Sequence, residues 1–80
     1  MRRRSVDSTS LASVGYDAQS LTLEVEFHNG GVYHYLGVPP RTVQAFLAAA
    51  SLGAFLNTEI KPRHPYVRLE PQAQPGRRQR

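Results

Sequence analysis

The sequence contains no cysteine and no tryptophan among its 80 residues. Without cysteine the chain can form no disulfide, offers no thiolate ligand to a metal and has no cysteine nucleophile. The longest apolar run, Ala45–Ala50, is far shorter than the roughly 20 residues that a membrane-spanning helix needs. The basic start is followed by no apolar stretch, so we expect no secretory signal. We therefore expect one small cytoplasmic domain with no membrane segment.

The positive charge is concentrated at the two ends of the chain. The formal net charge is +4, whereas residues 5–76 carry four basic and six acidic side chains, a balance of −2. The excess comes from Arg2, Arg3, Arg4, Arg77, Arg78 and Arg80. Flexible arginine-rich ends attract any polyanion, or they only keep the chain in solution, and the sequence leaves both interpretations open. We assign residues 1–5 and 70–80 to disordered basic tails and residues 6–69 to the folded domain.

Three segments, residues 11–16, 21–27 and 32–36, have the composition of antiparallel strands. The clearest is Leu21–Phe27, in which apolar and polar side chains alternate so that one face of the strand is buried. The pair Asn29-Gly30 lies between the second and third segments and tolerates positive φ, which favours a tight hairpin.

The register of this hairpin determines whether Tyr33 and Tyr35 belong to the core or to the surface. A two-residue loop places both rings on the open face of the sheet, beside acidic side chains. A three-residue loop closed by a glycine bulge instead pairs Val25 with Tyr33 and Leu23 with Tyr35, on the buried face. We favour the second register, because it buries two aromatic rings.

The second half of the sequence predicts two short helices. The first should begin at Pro39-Pro40, since proline is favoured in the first helical turn, and Gly53 should end it. Four apolar residues at positions i, i+3, i+4 and i+7 should face the core: Val43, Phe46, Leu47 and Ala50. Residues 54–60 should form the second helix. The predicted fold class is α+β: a three-stranded antiparallel sheet (β-β-β) followed by two short helices packed on one of its faces.

Patterns that indicate catalysis are weak. No glycine-rich loop precedes a helix, and the three histidines lack the spacing of metal ligands on a helix. Glu24 and Glu26 share one strand face, which an exposed sheet surface explains without acid–base chemistry. We therefore expect no enzymatic activity, no catalytic residue, no metal, no cofactor and no small-molecule substrate.

Most of the candidate binding residues lie after the second predicted helix. Residues 60–68 group three cations, an imidazole and a phenol, and Pro62 and Pro65 should hold the segment extended. Such a segment can follow a phosphate backbone and stack a base, or it is a solvated connector. The candidate nucleic-acid-binding residues are Arg41, Asn57, Lys61, Arg63, His64, Tyr66 and Arg68.

A series of short motifs along residues 6–69 resembles the KTSC domain, which is named for its occurrence at the C-terminus of some lysyl-tRNA synthetases. The motifs are Val6-x-Ser8, Val14-Gly15-Tyr16-Asp17, Leu23-x-Val25-x-Phe27, Gly31-Val32-Tyr33-x-Tyr35, Val38-Pro39, Ser51-x-Gly53-x-Phe55-x-Asn57-x-x-Ile60-Lys61 and Pro65-Tyr66. The resemblance implies RNA, with tRNA as the first candidate, as the partner, and it implies no catalytic activity.

The function expected from the sequence is thus a small non-enzymatic RNA-binding module. The alternative is a protein-interaction or self-association module with no nucleic-acid partner, because a domain of this size gains stability by pairing along an uncovered sheet edge or through the face that carries Tyr33 and Tyr35.

Overall fold

The computed structural model describes residues 3–69, and the predicted disorder of residues 70–80 lies outside this range. The described chain forms an antiparallel sheet whose strands follow one another in chain order. The five strands are β1 (Arg3–Ser5), β2 (Leu11–Asp17), β3 (Thr22–Phe27), β4 (Val32–Tyr35) and β5 (Tyr66–Leu69).

The α+β class is confirmed, but the predicted strand number is wrong, because the sheet has five strands and not three. The two additional strands are the edges. β1 arises from residues 3–5, which were assigned to a basic tail, and pairs with the middle of β2. β5 arises from the segment expected to be extended, either as a binding segment or as a solvated connector, and it pairs with β4. Both strands are short and mostly polar or exposed, so neither shows the alternation that reveals a half-buried strand.

The β3–β4 hairpin has the three-residue loop that the sequence favoured. Gly30 N donates to Phe27 O at 2.9 Å, and Phe27 N donates to Gly31 O at 2.8 Å. Gly30 has a φ of +94°, the conformation that the closing position of such a bulged loop requires. The predicted pairs Val25–Tyr33 and Leu23–Tyr35 are confirmed. Tyr35 is consequently in the core, whereas Tyr33 is half-buried.

The helical part comprises α1 (Pro40–Leu47), α2 (Leu52–Phe55) and a π-helical segment (Leu56–Ile60) that continues α2. Ser51 caps α2, because its hydroxyl accepts a hydrogen bond from Ala54 N at 3.2 Å. The π-helical segment is defined by the hydrogen bond from Lys61 N to Leu56 O, five residues apart, at 2.8 Å. The chain therefore enters the second helix before Gly53, and the expectation that Gly53 ends the first helix is wrong.

The core lies between one face of the sheet and the helices. α1 contributes Val43 and Phe46, but Leu47 is 41% exposed and Ala50 lies beyond the end of the helix, so half of the predicted stripe is not buried. The buried hydrophobic residues are Leu11, Val14, Leu23, Val25, Tyr35, Val38, Val43, Phe46, Leu56 and Ile60. Within residues 3–69 no helix is long and apolar enough to cross a membrane.

Candidate nucleic-acid-binding surface

Three tyrosines gather where β4 and β5 pair, on the sheet face that also carries the core. Tyr66 lies opposite Tyr35 in the strand register, and the two ring centroids are 5.6 Å apart. Tyr33 lies 5.6 Å from Tyr66 and 6.3 Å from Tyr35. Burial differs sharply among them: Tyr35 is 2% exposed and Tyr66 is 46% exposed. The result is an aromatic surface that is anchored in the core at one ring and open to solvent at another.

Two of the predicted cations lie beside the exposed part of this aromatic surface. The Lys61 ammonium is 6.0 Å from the centroid of the Tyr66 ring. Arg68 lies opposite Tyr33 in the β4–β5 register, and its guanidinium carbon is 6.0 Å from the Tyr33 centroid. These distances are at the outer limit of a cation–π interaction, so the charged groups border the rings and remain in solvent. We call Tyr33, Tyr66, Lys61 and Arg68 the tyrosine–cation face.

No acidic side chain neutralises this face within residues 3–69, where neither Lys61 nor Arg68 takes part in an ion pair. Acidic groups lie instead on the opposite sheet face, where Arg3 Nε is 2.9 Å from Glu24 Oε2 and Arg3 Nη1 is 3.6 Å from Glu26 Oε1. His34 Nε2 is 2.7 Å from the other oxygen of Glu24. Alternation along β3 and β4 produces this separation, because neighbouring residues of a strand point to opposite faces.

Tyr35, the buried ring of the tyrosine surface, has a raised pKa. Burial, followed by the negative charges of Tyr33 and Tyr66 when they ionise, raises the pKa of Tyr35 from 10.0 to about 12. The phenol therefore stays protonated over the physiological pH range, and a neutral ring packs beside the exposed Tyr66 ring.

The other predicted cations lie elsewhere, because the first part of the segment after the second helix is a turn. Arg63 N and His64 N both donate to Ile60 O, at 3.1 and 3.0 Å, which folds residues 60–64 into a turn. Pro62 lies within this turn, and the chain becomes a strand only from Tyr66. The predicted extended conformation is therefore wrong for residues 60–64 and confirmed only from Tyr66 onward, and the turn directs Lys61 and Arg63 to different parts of the surface.

Arg63 and His64 meet Arg41 at a cleft beside α1. The cleft has a volume of about 450 Å³, and its lining also includes residues from α1, α2 and the π-helical segment: Pro39, Thr42, Ala45, Phe55 and Glu59. Arg63 Nη2 is 3.5 Å from Glu59 Oε1, a pair with both side chains largely exposed. We call this concavity the helix cleft. Asn57 joins neither group: it is exposed on the π-helical segment, and its side chain makes no hydrogen bond within residues 3–69.

Seven candidate residues thus divide into three at the tyrosine–cation face, three at the helix cleft and one isolated asparagine. Tyr33 completes the face and is absent from the candidate set, because the favoured hairpin register predicts that its ring is buried on the core face. The ring is only half-buried, and its position beside Arg68 depends on β5, a strand that the sequence did not predict.

Comparison with known proteins agrees with this architecture. The family model described as the KTSC domain matches residues 7–66. An uncharacterised protein of Stutzerimonas stutzeri is 50% identical over 64 residues, which cover 80% of this chain and 90% of that protein. A protein of Tsukamurella paurometabola is 39% identical over 64 residues, covering 80% of this chain and 96% of the relative.

The crystal structure of a KTSC domain protein from Yersinia pestis is similar to this fold. It superposes with a TM-score of 0.82 at 38% sequence identity and covers 86% of this chain and 97% of that chain. The family match includes β2, β3, β4 and the helical segments. The chain belongs to the KTSC domain family.

Proposed function

We propose that this protein is a non-enzymatic RNA-binding module and that the tyrosine–cation face is its binding surface. tRNA is the first candidate, because the KTSC domain is named for its occurrence at the C-terminus of some lysyl-tRNA synthetases. The proposal places the protein in the cytoplasm and requires no cofactor.

The single observation that carries the proposal is an exposed aromatic ring bordered by cations. Bases of single-stranded RNA stack on aromatic side chains, at about 1–3 kcal/mol per base. Tyr66 is 46% exposed and offers such a ring, and the rings of Tyr33 and Tyr35 pack against it at 5.6 Å. Lys61 and Arg68 lie 6.0 Å from the Tyr66 and Tyr33 centroids, close enough for their charged groups to contact phosphates on either side of a stacked base.

The distribution of charge favours the same face. Within residues 3–69 the acidic side chains of β3 lie on the far side of the sheet and are engaged by Arg3. A phosphate backbone that approaches the tyrosine–cation face therefore meets cations, whereas the nearest carboxylates of the sheet lie on its opposite face. Arg77, Arg78 and Arg80 lie outside the described residues, and we propose that they add attraction independent of RNA sequence.

The test is a titration of the full chain with a single-stranded RNA and with tRNA over a range of salt concentrations. Each phosphate contact with a single strand contributes about 0.7 to the slope of log K against log salt. Replacing Lys61 and Arg68 by Gln together should make the slope shallower by about 1.4. Tyr66→Ala should weaken binding roughly tenfold or more and leave the slope unchanged, because stacking is not electrostatic.

Two control variants distinguish binding at the tyrosine–cation face from nonspecific attraction by positive charge. Arg4→Gln removes one exposed charge on β1, at the other edge of the sheet, and should change affinity little. A variant with Arg77, Arg78 and Arg80 replaced by Gln keeps the described residues intact. The tails should not be tested by deleting residues 1–4, since that removes most of β1. If binding disappears in the triple variant and is insensitive to Tyr66, Lys61 and Arg68, the proposal is wrong.

A second candidate function is self-association through β5. Within residues 3–69 this strand has a neighbour on one side only, β4, and its Val67 is 50% exposed. Val32 and Leu69 pair with each other on the same sheet face as Val67, so the unpaired edge is bordered by apolar side chains. An increase of mass with concentration in sedimentation supports this candidate.

A further inference from the structure

The helix cleft is a second concave surface whose residues the RNA-binding proposal does not use. Arg41 enters it from α1, and Arg63 and His64 enter it from the turn that follows the π-helical segment. The three side chains come from positions about 20 residues apart in sequence and converge only because α1 packs beside this turn. We infer that the helix cleft binds a nucleoside monophosphate, and this inference does not depend on RNA binding at the tyrosine–cation face.

The phosphate group is indicated by the two arginines and the histidine. A guanidinium matches the geometry of phosphate oxygens and can donate two hydrogen bonds at once. Arg41 makes no ion pair within residues 3–69, and Arg63 has only an exposed partner, Glu59, at 3.5 Å. An exposed pair of this kind contributes little, so Arg63 can exchange the carboxylate for a phosphate at small cost. His64 is half-buried at the cleft and adds a further ring nitrogen as a donor.

The nucleoside is indicated by the rest of the lining. Phe55 is half-buried, packed at 5.9 Å from the Phe46 ring of the core, and contributes aromatic surface to the cleft. Glu59 places a carboxylate in the same cleft. A carboxylate repels a bare phosphate, but it accepts hydrogen bonds from ribose hydroxyls and from the exocyclic amine of a base. The cleft therefore suits a ligand with an anionic end and a hydrogen-bond-donating end better than it suits free phosphate.

The dimensions agree with this ligand class. At about 450 Å³ the cleft lies within the range of small-molecule sites, roughly 300–1,000 Å³. It is a surface concavity lined by exposed or half-buried side chains, so we expect fast exchange and modest affinity.

The inference can be tested by following amide chemical shifts of the full chain during titration with adenosine monophosphate, inorganic phosphate and adenosine. The monophosphate should shift the amides of Arg41, Thr42, Arg63 and His64 in a saturable way. Inorganic phosphate should shift the same amides with lower affinity, and adenosine alone should have little effect.

Substitutions of the basic and of the acidic residues of the cleft should have opposite effects on phosphate binding. Arg41→Gln and Arg63→Gln should each weaken binding of the monophosphate roughly tenfold, because each removes hydrogen bonds to a charged group. Glu59→Gln should strengthen binding of inorganic phosphate and reduce the preference for the monophosphate. The side chains of Arg41, Glu59 and Arg63 are exposed, so their replacement should leave the fold intact. Amide shifts outside the cleft that match those of the wild-type chain show that each variant is folded.

The Lys61→Gln and Arg68→Gln variants serve as controls and should bind the monophosphate normally, since they change only the tyrosine–cation face. The inference is overturned if the shifts map to Tyr33 and Tyr66, if no shift saturates, or if phosphate and the monophosphate bind equally well. The two sets of variants share no residue, so failure at the helix cleft and failure of RNA binding are distinguishable.

Discussion

Tyr35 is the residue at which core and surface meet. Its ring is 2% exposed, yet it packs against both Tyr33 and the exposed Tyr66. Burial is the main reason that its pKa rises from 10.0 to about 12, and the neighbouring tyrosines add to the effect. A group with a higher pKa in the folded state binds its proton more tightly there than in the unfolded chain, so its protonation stabilises the fold.

This coupling predicts a loss of stability at alkaline pH. The contribution of Tyr35 should be fully present below pH 10 and should be lost as the pH rises through about 12. Thermal unfolding of the wild-type chain between pH 8 and pH 12 measures the effect, and Tyr35→Phe keeps the ring while removing the titrating group. The variant should lose less stability over this range. An identical pH dependence in both proteins would show that other groups cause it.

Among single residues, the sequence predicted Tyr35 well and the cations poorly. The position of Tyr35 depends on a loop of three residues whose glycine has positive φ, which is local information. The position of Lys61 relative to Arg63 depends on hydrogen bonds to Ile60 O, and no residue pattern predicted these bonds. The two prolines restrict φ as expected, but Pro62 is accommodated within a turn.

The spacing of apolar residues in α1 predicts only part of its buried face. The spacing of apolar residues placed both Phe46 and Leu47 toward the core, but Phe46 is fully buried and Leu47 is 41% exposed. The helix has eight residues and ends at Leu47, so it makes two turns and packs mainly through Val43 and Phe46. Residues at i+3 and i+4 flank the helix face, and here only one of them reaches the small core.

The two adjacent residues provide a matched pair of variants. Phe46→Ala should destabilise the fold by about 3–5 kcal/mol, because it leaves a cavity between α1 and the sheet. That is a large share of the roughly 4–12 kcal/mol expected for a domain of this size. Leu47→Ala, on the same helix, should cost less than about 1 kcal/mol. Urea unfolding monitored by circular dichroism measures both, and equal losses would contradict the assignment of the core face.

The edge strands are the elements that local patterns did not reveal. β1 is three residues long and reads Arg-Arg-Ser, yet its Arg3 spans to Glu24 on β3. β5 presents Tyr66 and Arg68 to one face and Val67 to the other. An edge strand is stabilised by hydrogen bonds to a neighbour that is already in place, so its own composition carries little information.

At the scale of the whole molecule, charge is divided between surfaces. Residues 3–69 carry six basic and five acidic side chains, a net charge of +1. The acidic groups of β3 lie on one sheet face with Arg3 and His34, while Lys61 and Arg68 border the tyrosines on the other. Within residues 3–69 a nearly neutral chain thus has one face whose cations make no ion pair, which the net charge alone does not reveal.

The uncovered edge gives a prediction for the oligomeric state. If β5 mediates self-association, the sedimentation coefficient should rise with protein concentration, and Val67→Lys should abolish the rise, because a lysine on an edge strand opposes pairing. Leu47→Lys is the matched control: it also changes an exposed apolar residue, but one beside β1 at the opposite edge of the sheet. A monomer at all concentrations would remove self-association as a function.

The sequence by itself determined the α+β class, the β3–β4 hairpin with its register, the existence of two helical segments and the family resemblance. These features depend on alternation, turn residues and short motifs, which act over a few neighbouring positions. The tertiary structure alone decided that the sheet has five strands, because β1 and β5 form only against β2 and β4. It also decided that the candidate cations divide between two surfaces, because a turn and the packing of α1 determine which distant side chains meet.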